Sequence, residues 1–434
     1  MAMQKAKDLS EFYKVFYPSP LKEEDMDFYC ENTMQYRTGD VSPIKRINRT
    51  VTSYDGVKAV LLLGHRGCGK STELMKLQSD LIKEKYCVKL INCKTEMSTF
   101  EPEYWDFFIL MTQKLIEIAV ELDCKIEKRT IEKALSYWDD KSITDAFTEA
   151  GGYGIEAELS AGASLWGFFK ASTKVSGNLK NTSETRTEIK RKVKQKSYEW
   201  IEILNSISTA IQGNPKSNGK MPILILEEID KVINPGRIMD IFHNNALSFS
   251  LLPFKSIYTF PISLYYDERF ALLGEHFEHE IMPMIKVHNQ NMSENDDGIE
   301  IIKELIFKRL SKNFFNDGVL EKMIQKTGGA LRHLFEVIIN AADRADDRGM
   351  TEIHMEDVDF ALSKLKSELT RVIEVRDYDF LRNVYNEKEQ IEDREKLLKF
   401  MKASVVLEYK NGDRWHDVHP LIYDFLNDQG IFDE

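Results

Sequence analysis

The stretch Gly64-His-Arg-Gly-Cys-Gly-Lys-Ser-Thr72 most narrows what this chain can become. It follows the apolar run Ala59-Val-Leu-Leu-Leu63 and precedes Glu73-Leu-Met75, an order that reads as buried strand, loop and helix. It fits G-x-x-x-x-G-K-S/T, with Gly64, Gly69, Lys70 and Ser71 at the fixed places. Glycines let consecutive backbone N–H groups turn toward one centre without a Cβ in the way. The helix that begins here points its positive end at the same centre. Lys70 reaches the β- and γ-phosphates, and Ser71 sets a hydroxyl on Mg²⁺. The expected cradle is therefore Gly64, His65, Arg66, Gly67, Cys68, Gly69, Lys70, Ser71 and Thr72, and the expected cofactors are ATP and Mg²⁺. A turn that merely needed glycine would not require Lys-Ser after its last glycine.

Such a loop needs carboxylates on a second strand. Pro222-Ile-Leu-Ile-Leu-Glu-Glu-Ile-Asp230 supplies a short apolar run ending in acids, as a buried parallel strand should. Glu227 falls where the carboxylate that holds Mg²⁺ belongs, and Glu228 where a base would polarise the attacking water. The plainer alternative is the acidic start of a helix.

The loop, the LILEEID strand, the later Gly328-Gly-Ala-Leu-Arg-His-Leu-Phe335 and a small C-terminal domain together resemble an AAA+ ATPase. The resemblance is to the origin-recognition-type initiator branch and to related prokaryotic signal-transduction (STAND-like) ATPases, and it runs from about residue 25 onward. It implies an α/β P-loop core with a parallel sheet, an all-helical lid and a winged-helix-like C-terminal domain. One departure stands out: the family usually carries Asp-Glu where this chain has Glu227-Glu228, which puts rate and metal preference in question. The resemblance places a γ-phosphate sensor at the polar end of Lys255-Ser-Ile-Tyr-Thr-Phe-Pro-Ile-Ser263. Thr259 and Ser263 both qualify, and Ser263 lies nearer the strand end. It makes Arg332 the lid arginine that touches the γ-phosphate; an exposed helix arginine is the alternative. It offers Arg269 as an arginine finger for a neighbouring subunit, although a surface ion pair accounts for that residue more simply.

Residues 1–58 read as a lead-in to the nucleotide site, with a helix from Ser42 through Val51 and with Tyr36 or Arg37 near the base. The core spans 59–290, with strands expected at Val60–Leu63, Val88–Ile91, Ile223–Leu226, Ser256–Phe260 and Ile281–Val287. They alternate with helical stretches, the mark of a parallel sheet covered on both faces. Residues 291–370 form the lid, where Ile299, Ile302, Leu305, Ile306 and Leu310 recur at helical spacing. Residues 371–434 form the C-terminal domain, whose Asn411-Gly412 is a hairpin-turn signal. Few cations surround that hairpin and acids interleave them, so protein docking or a plain cap competes with DNA contact.

An insertion at 140–212 holds a period-two stretch at 151–180, expected to be a β-hairpin. Its apolar face would pack on the following helix or on a neighbouring subunit rather than in lipid. Arg186-Thr-Glu-Ile-Lys-Arg-Lys-Val-Lys-Gln-Lys196 is a cationic helix start, read first as a solvated face and otherwise as a site for nucleic acid or an acidic partner. His276 with His279, and His416 with His419, read as structural rather than as zinc ligands.

Five cysteines without CxxC spacing argue against a disulfide framework. With no secretion-signal pattern and no membrane-length apolar run, the expected location is the cytoplasm. A net charge of −12 argues against a wholly cationic nucleic-acid coat. Two function classes follow. One is an ATP-hydrolysing, oligomerising switch or motor acting on DNA or a protein. The other is a nucleotide-gated signalling module, as in a prokaryotic defence or stress system, with slow turnover or none.

Overall fold

A computed structural model describes residues 3–31, 33–38, 41–53, 59–97, 102–127, 129–130, 197–231, 233–389 and 391–432. The expected 151–180 hairpin and the cationic stretch Arg186–Lys196 lie outside the described residues.

Among the described residues, five strands form the central sheet: β1 (Ala59–Gly64), β2 (Val88–Asn92), β3 (Ile223–Glu227), β4 (Lys255–Pro261) and β5 (Glu278–Met282). Their spatial order is β2-β3-β4-β1-β5, and every neighbouring pair is parallel. The continuous apolar runs follow from burial on both faces, because successive side chains point to opposite sides. Leu61, Leu63, Leu224 and Leu226 join the core that includes helices Tyr104–Glu121 and Ser197–Gln212. Val60, Leu62, Ile223 and Ile225 join the opposite core, with helices Pro43–Ser53 and Lys70–Lys83.

The last strand differs from expectation. It covers Glu278–Met282 rather than Ile281–Val287. Pro283 has no N–H for a ladder bond, and the next amide, Met284 N, donates to Glu408 O at 3.0 Å, away from the sheet. The apolar residues Met284, Ile285 and Val287 are buried all the same, on the C-terminal hairpin and the lid. Burial alone made the segment look like strand.

Four helices make the lid: Asp296–Arg309, Val319–Lys326, Leu331–Asp347 and Met355–Thr370. The N-terminal segment docks on them. Phe12 meets Phe314 at a ring-centroid distance of 5.2 Å, and Phe16 meets Phe335 at 5.3 Å. The chain before β1 therefore runs from the lid back toward the loop.

Helices Tyr378–Glu387 and Arg394–Lys402 lead into an antiparallel pair, β6 (Val406–Asn411) and β7 (Asp413–Val418), followed by helix Pro420–Asp428. Gly412 sits at the tip with φ +78°, and Asn411 already pairs with Asp413 in the ladder. The hairpin does not project. Leu407, Glu408 and Tyr409 are fully buried, and Leu407, Tyr409 and Trp415 pack in the same core as Val60 and Leu62 of β1. It covers one face of the sheet, which buries most of its own surface. Among the described residues, no helix is long and apolar enough to cross a membrane.

Candidate nucleotide-binding site

The loop leaves β1 at Gly64, and Gly67 and Gly69 take φ +79° and +102° before helix Lys70–Lys83 begins. Gly67 is needed twice over. Its φ lies in the left-handed region, and a Cβ there would sit 2.4 Å from the Cβ of Arg332. The lid arginine thus lies directly against the loop. Lys70 is 9% exposed and donates from Nζ to the carbonyls of Gly64 at 2.8 Å and His65 at 2.9 Å.

β3 delivers the carboxylates beside the loop. Glu227 accepts from Asn92 Nδ2 at 3.4 Å through Oε1, and its Oε2 is buried with no hydrogen-bond partner. Burial raises its pKa, the Ser71 hydroxyl opposes that, and the charge of Glu228 adds to it. An orphaned buried carboxylate oxygen next to a hydroxyl is a donor set that suits Mg²⁺. Glu228 follows at φ +60°, a conformation a non-glycine residue holds only under strain. Its Oε1 pairs with Lys231 Nζ, and both side chains line the cleft.

The cleft is open to solvent. Arg37, Arg66, Lys70, Lys231, Arg309 and Arg332 line it against the acids Glu73, Glu228 and Asp230. This excess of cations suits a polyphosphate. Beyond the loop the wall becomes apolar: Leu21, Phe28 and Cys30 from the N-terminal segment, and Leu305, Leu331 and Phe335 from the lid. Leu21 N donates to Thr72 Oγ1 at 3.3 Å, and Tyr29 Oη donates to Glu73 Oε2 at 2.8 Å, so this wall is fastened to the loop helix.

Of the two sensor positions, Thr259 lines the cleft and bonds the Leu226 carbonyl at 3.5 Å. Ser263 is not part of the cleft wall. β4 ends at Pro261, and Ser263 lies in the following 3-10 turn with its Oγ buried and unpartnered. Arg269 is also elsewhere: Nη1 pairs with Asp240 and Nη2 with Asp267, each at 2.7 Å. Two carboxylates occupy it, as in the simpler of its two readings. Arg37 lines the cleft, but its Nη1 and Nη2 donate to the carbonyls of Pro283 and Cys68, both at 2.7 Å, so it braces the loop from behind. Tyr36 lies in a separate depression with Asp27 and Phe315.

Sequence reasoning missed Lys231, Arg309 and the wall residues Leu21, Phe28 and Cys30, although it expected residues 1–58 to lead into the site. Lys231 stands one residue past the acidic run and was open to suspicion. Arg309 carried no signal beyond the last turn of an amphipathic helix. The histidines have structural partners: His416 Nε2 meets Tyr266 Oη at 2.8 Å, and His419 Nε2 meets His333 Nδ1 at 3.1 Å.

No family model matches the chain, and no curated protein matches it in sequence. Solved structures do. Cdc6p from Pyrobaculum aerophilum pairs with it at 12% identity and TM-score 0.41, over 96% of this chain and 97% of that one. The ADP form of the ORC2 protein of Aeropyrum pernix pairs at 12% identity and TM-score 0.43, over 98% and 99%. A Walker-type ATPase of Pyrococcus abyssi pairs at 14% identity and TM-score 0.43, over 95% and 99%. Each of these is a partial likeness to a solved structure at low sequence identity.

Proposed function

We propose that this chain is a Mg-ATP-binding ATPase in which nucleotide state, read by the lid and the C-terminal hairpin, switches contact with a partner. One observation carries the reading: Lys70, Ser71, Glu228 and Arg332, from three separate parts of the sequence, line one cationic cleft, with Glu227 buried beside Ser71. Ser71 and the free Oε2 of Glu227 would hold Mg²⁺, which neutralises charge building on the β- and γ-phosphates. Lys70 exchanges its two loop carbonyls for phosphate oxygens. Arg332 lies against Gly67, close enough for a fork of donors to reach the terminal phosphate. Glu228 takes the proton of the attacking water once its carboxylate leaves Lys231. Thr259 orients that water or the terminal phosphate from the end of β4.

The slow-turnover signalling reading has its own support in the Glu228–Lys231 pair, which occupies the base. The buried hairpin favours a protein partner or a second copy of this chain over DNA. Steady-state turnover and ATP affinity, each with and without duplex DNA, test the proposal. Lys70→Ala should abolish Mg-ATP binding, and Glu228→Gln should keep binding while turnover falls at least roughly tenfold. Equal ATP affinity in wild type and Lys70→Ala would end the assignment.

A further inference from the structure

Arg309 closes the lid's first helix, Asp296–Arg309, and lines the cleft. It is only 6% exposed. Nη1 donates to the Leu305 carbonyl, one turn back in its own helix, at 2.9 Å. Its Nε is buried and has no partner. Among the described residues no carboxylate pairs with it. Burial pushes its pKa down, and only the Cys30 thiol opposes that. The Phe335 ring lies 5.3 Å from the guanidinium carbon, a weak cation–π contact.

A desolvated guanidinium without an anion is destabilising. A residue that met only a packing need there would be better apolar. The other arginines of the cleft stand at the loop, Arg66 within it and Arg37 and Arg332 against it, although Arg37 and Arg332 also each keep an unpartnered Nε. Arg37 is spent on two carbonyls, and Arg332 lies on the loop. Arg309 instead stands in the apolar part of the wall, with Phe28, Cys30, Leu305 and Phe335. The phosphates are anchored at the loop, so the base of a bound nucleotide extends toward this wall. Flat apolar sides hold an aromatic base by stacking, and a few placed donors fix which base. A purine offers ring nitrogens, and in guanine a carbonyl as well, as acceptors for an arginine.

We propose that Arg309 is a nucleotide-binding residue supplied by the lid, donating hydrogen bonds to the acceptor edge of a purine base. This rests on the nucleotide-binding function proposed above. The buried charge is then unsatisfied only while the cleft is empty, and the bound base draws the lid and the N-terminal wall together.

The test uses the full chain with Arg309→Met, which keeps the bulk and removes the charge, and Arg309→Lys, which keeps the charge. Affinities are measured for ATP, GTP, CTP, UTP and inorganic tripolyphosphate, and melting is followed with and without nucleotide. Arg309→Met should weaken ATP and GTP about tenfold, the loss of one charge-assisted hydrogen bond. It should leave CTP, UTP and tripolyphosphate nearly unchanged. The empty variant should melt no lower than wild type, while its stabilisation by ATP shrinks. Arg309→Lys should fall between the two. Equal losses for all five ligands would make Arg309 a phosphate ligand and overturn the proposal. So would unchanged ATP affinity, or an empty variant that melts well below wild type. If wild type binds tripolyphosphate but discriminates no base, the proposal fails and the phosphate site stands. If wild type binds none of the five, the nucleotide function fails with it.

Discussion

His65 Nε2, in the glycine-rich loop, accepts a hydrogen bond from the main-chain N–H of Glu408, in the C-terminal hairpin, at 2.9 Å. The two residues are 343 positions apart. His65 is 1% exposed, and burial drives its pKa down to about 3, so the ring stays neutral and can accept. The same residue's carbonyl holds Lys70 Nζ. A single loop residue therefore touches both the Lys70 ammonium and the C-terminal hairpin. His65→Ala leaves the Glu408 amide buried without an acceptor, which costs about 1–3 kcal/mol. Amide hydrogen exchange should speed up across 406–418 and the melting temperature should fall. Unchanged exchange in the hairpin would show that the bond does not hold it down.

Gly67→Ala tests the contact between lid and loop. The new Cβ would overlap Arg332 Cβ at 2.4 Å and would have to adopt φ +79°. The lid must shift outward or the loop must distort. ATP affinity should fall at least about tenfold, since a cradle of N–H groups tolerates little displacement. Near-native affinity, read by isothermal titration, would mean that the lid stands off the loop when nucleotide binds.

Lys231→Met frees Glu228. With the pair gone, the carboxylate is available to the water while the phosphate contacts are untouched. Turnover should rise severalfold with ATP affinity unchanged, which locates the effect in the chemical step. A fall in turnover would place the Lys231 ammonium on the substrate instead.

Much of this site was legible because its parts are local. A loop of nine residues between strand and helix, and two acids at the end of an apolar run, carry their spacing in the sequence. What escaped depends on distant packing. Thr259 and Ser263 both read as strand-end hydroxyls, and only the termination of β4 at Pro261 separates them. Ile281–Val287 read as strand because it is buried, yet after Pro283 its backbone serves the hairpin and not the sheet. The Asn411-Gly412 turn was readable, but not that its strands would lie on the loop. The hairpin also meets the lid at Gly328, where φ is +62° and a Cβ would fall 2.9 Å from Leu407 Cδ1. Arg309 was unreadable, because an arginine at the end of an amphipathic helix ordinarily faces water.

The cluster behind the hairpin gives a pH dependence with a definite sign. Glu408 is fully buried, its Oε2 accepts from Tyr266 Oη at 2.5 Å, and its Oε1 has no partner. Burial raises its pKa from 4.5 to about 7, against the Tyr266 hydrogen bond and the Arg414 charge. The folded state therefore holds a proton that the unfolded chain releases. The stability this carboxyl contributes is fully present below about pH 4.5 and is lost as pH rises through about 7. Nearby His416 runs the other way: burial lowers its pKa to about 4, so its contribution is present above the unfolded value near 6.5 and is lost as pH falls through about 4. Glu408→Gln isolates the first effect, because the amide keeps an acceptor for Tyr266 and never ionises. Wild type and variant should melt alike near pH 5. At pH 8 the variant should be the more stable, by up to about 3 kcal/mol. The histidine contribution is common to both and cancels in the difference. Melting curves from pH 5 to 8 decide the matter: a difference that does not grow with pH would mean that Glu408 is ionised throughout, held by Arg414.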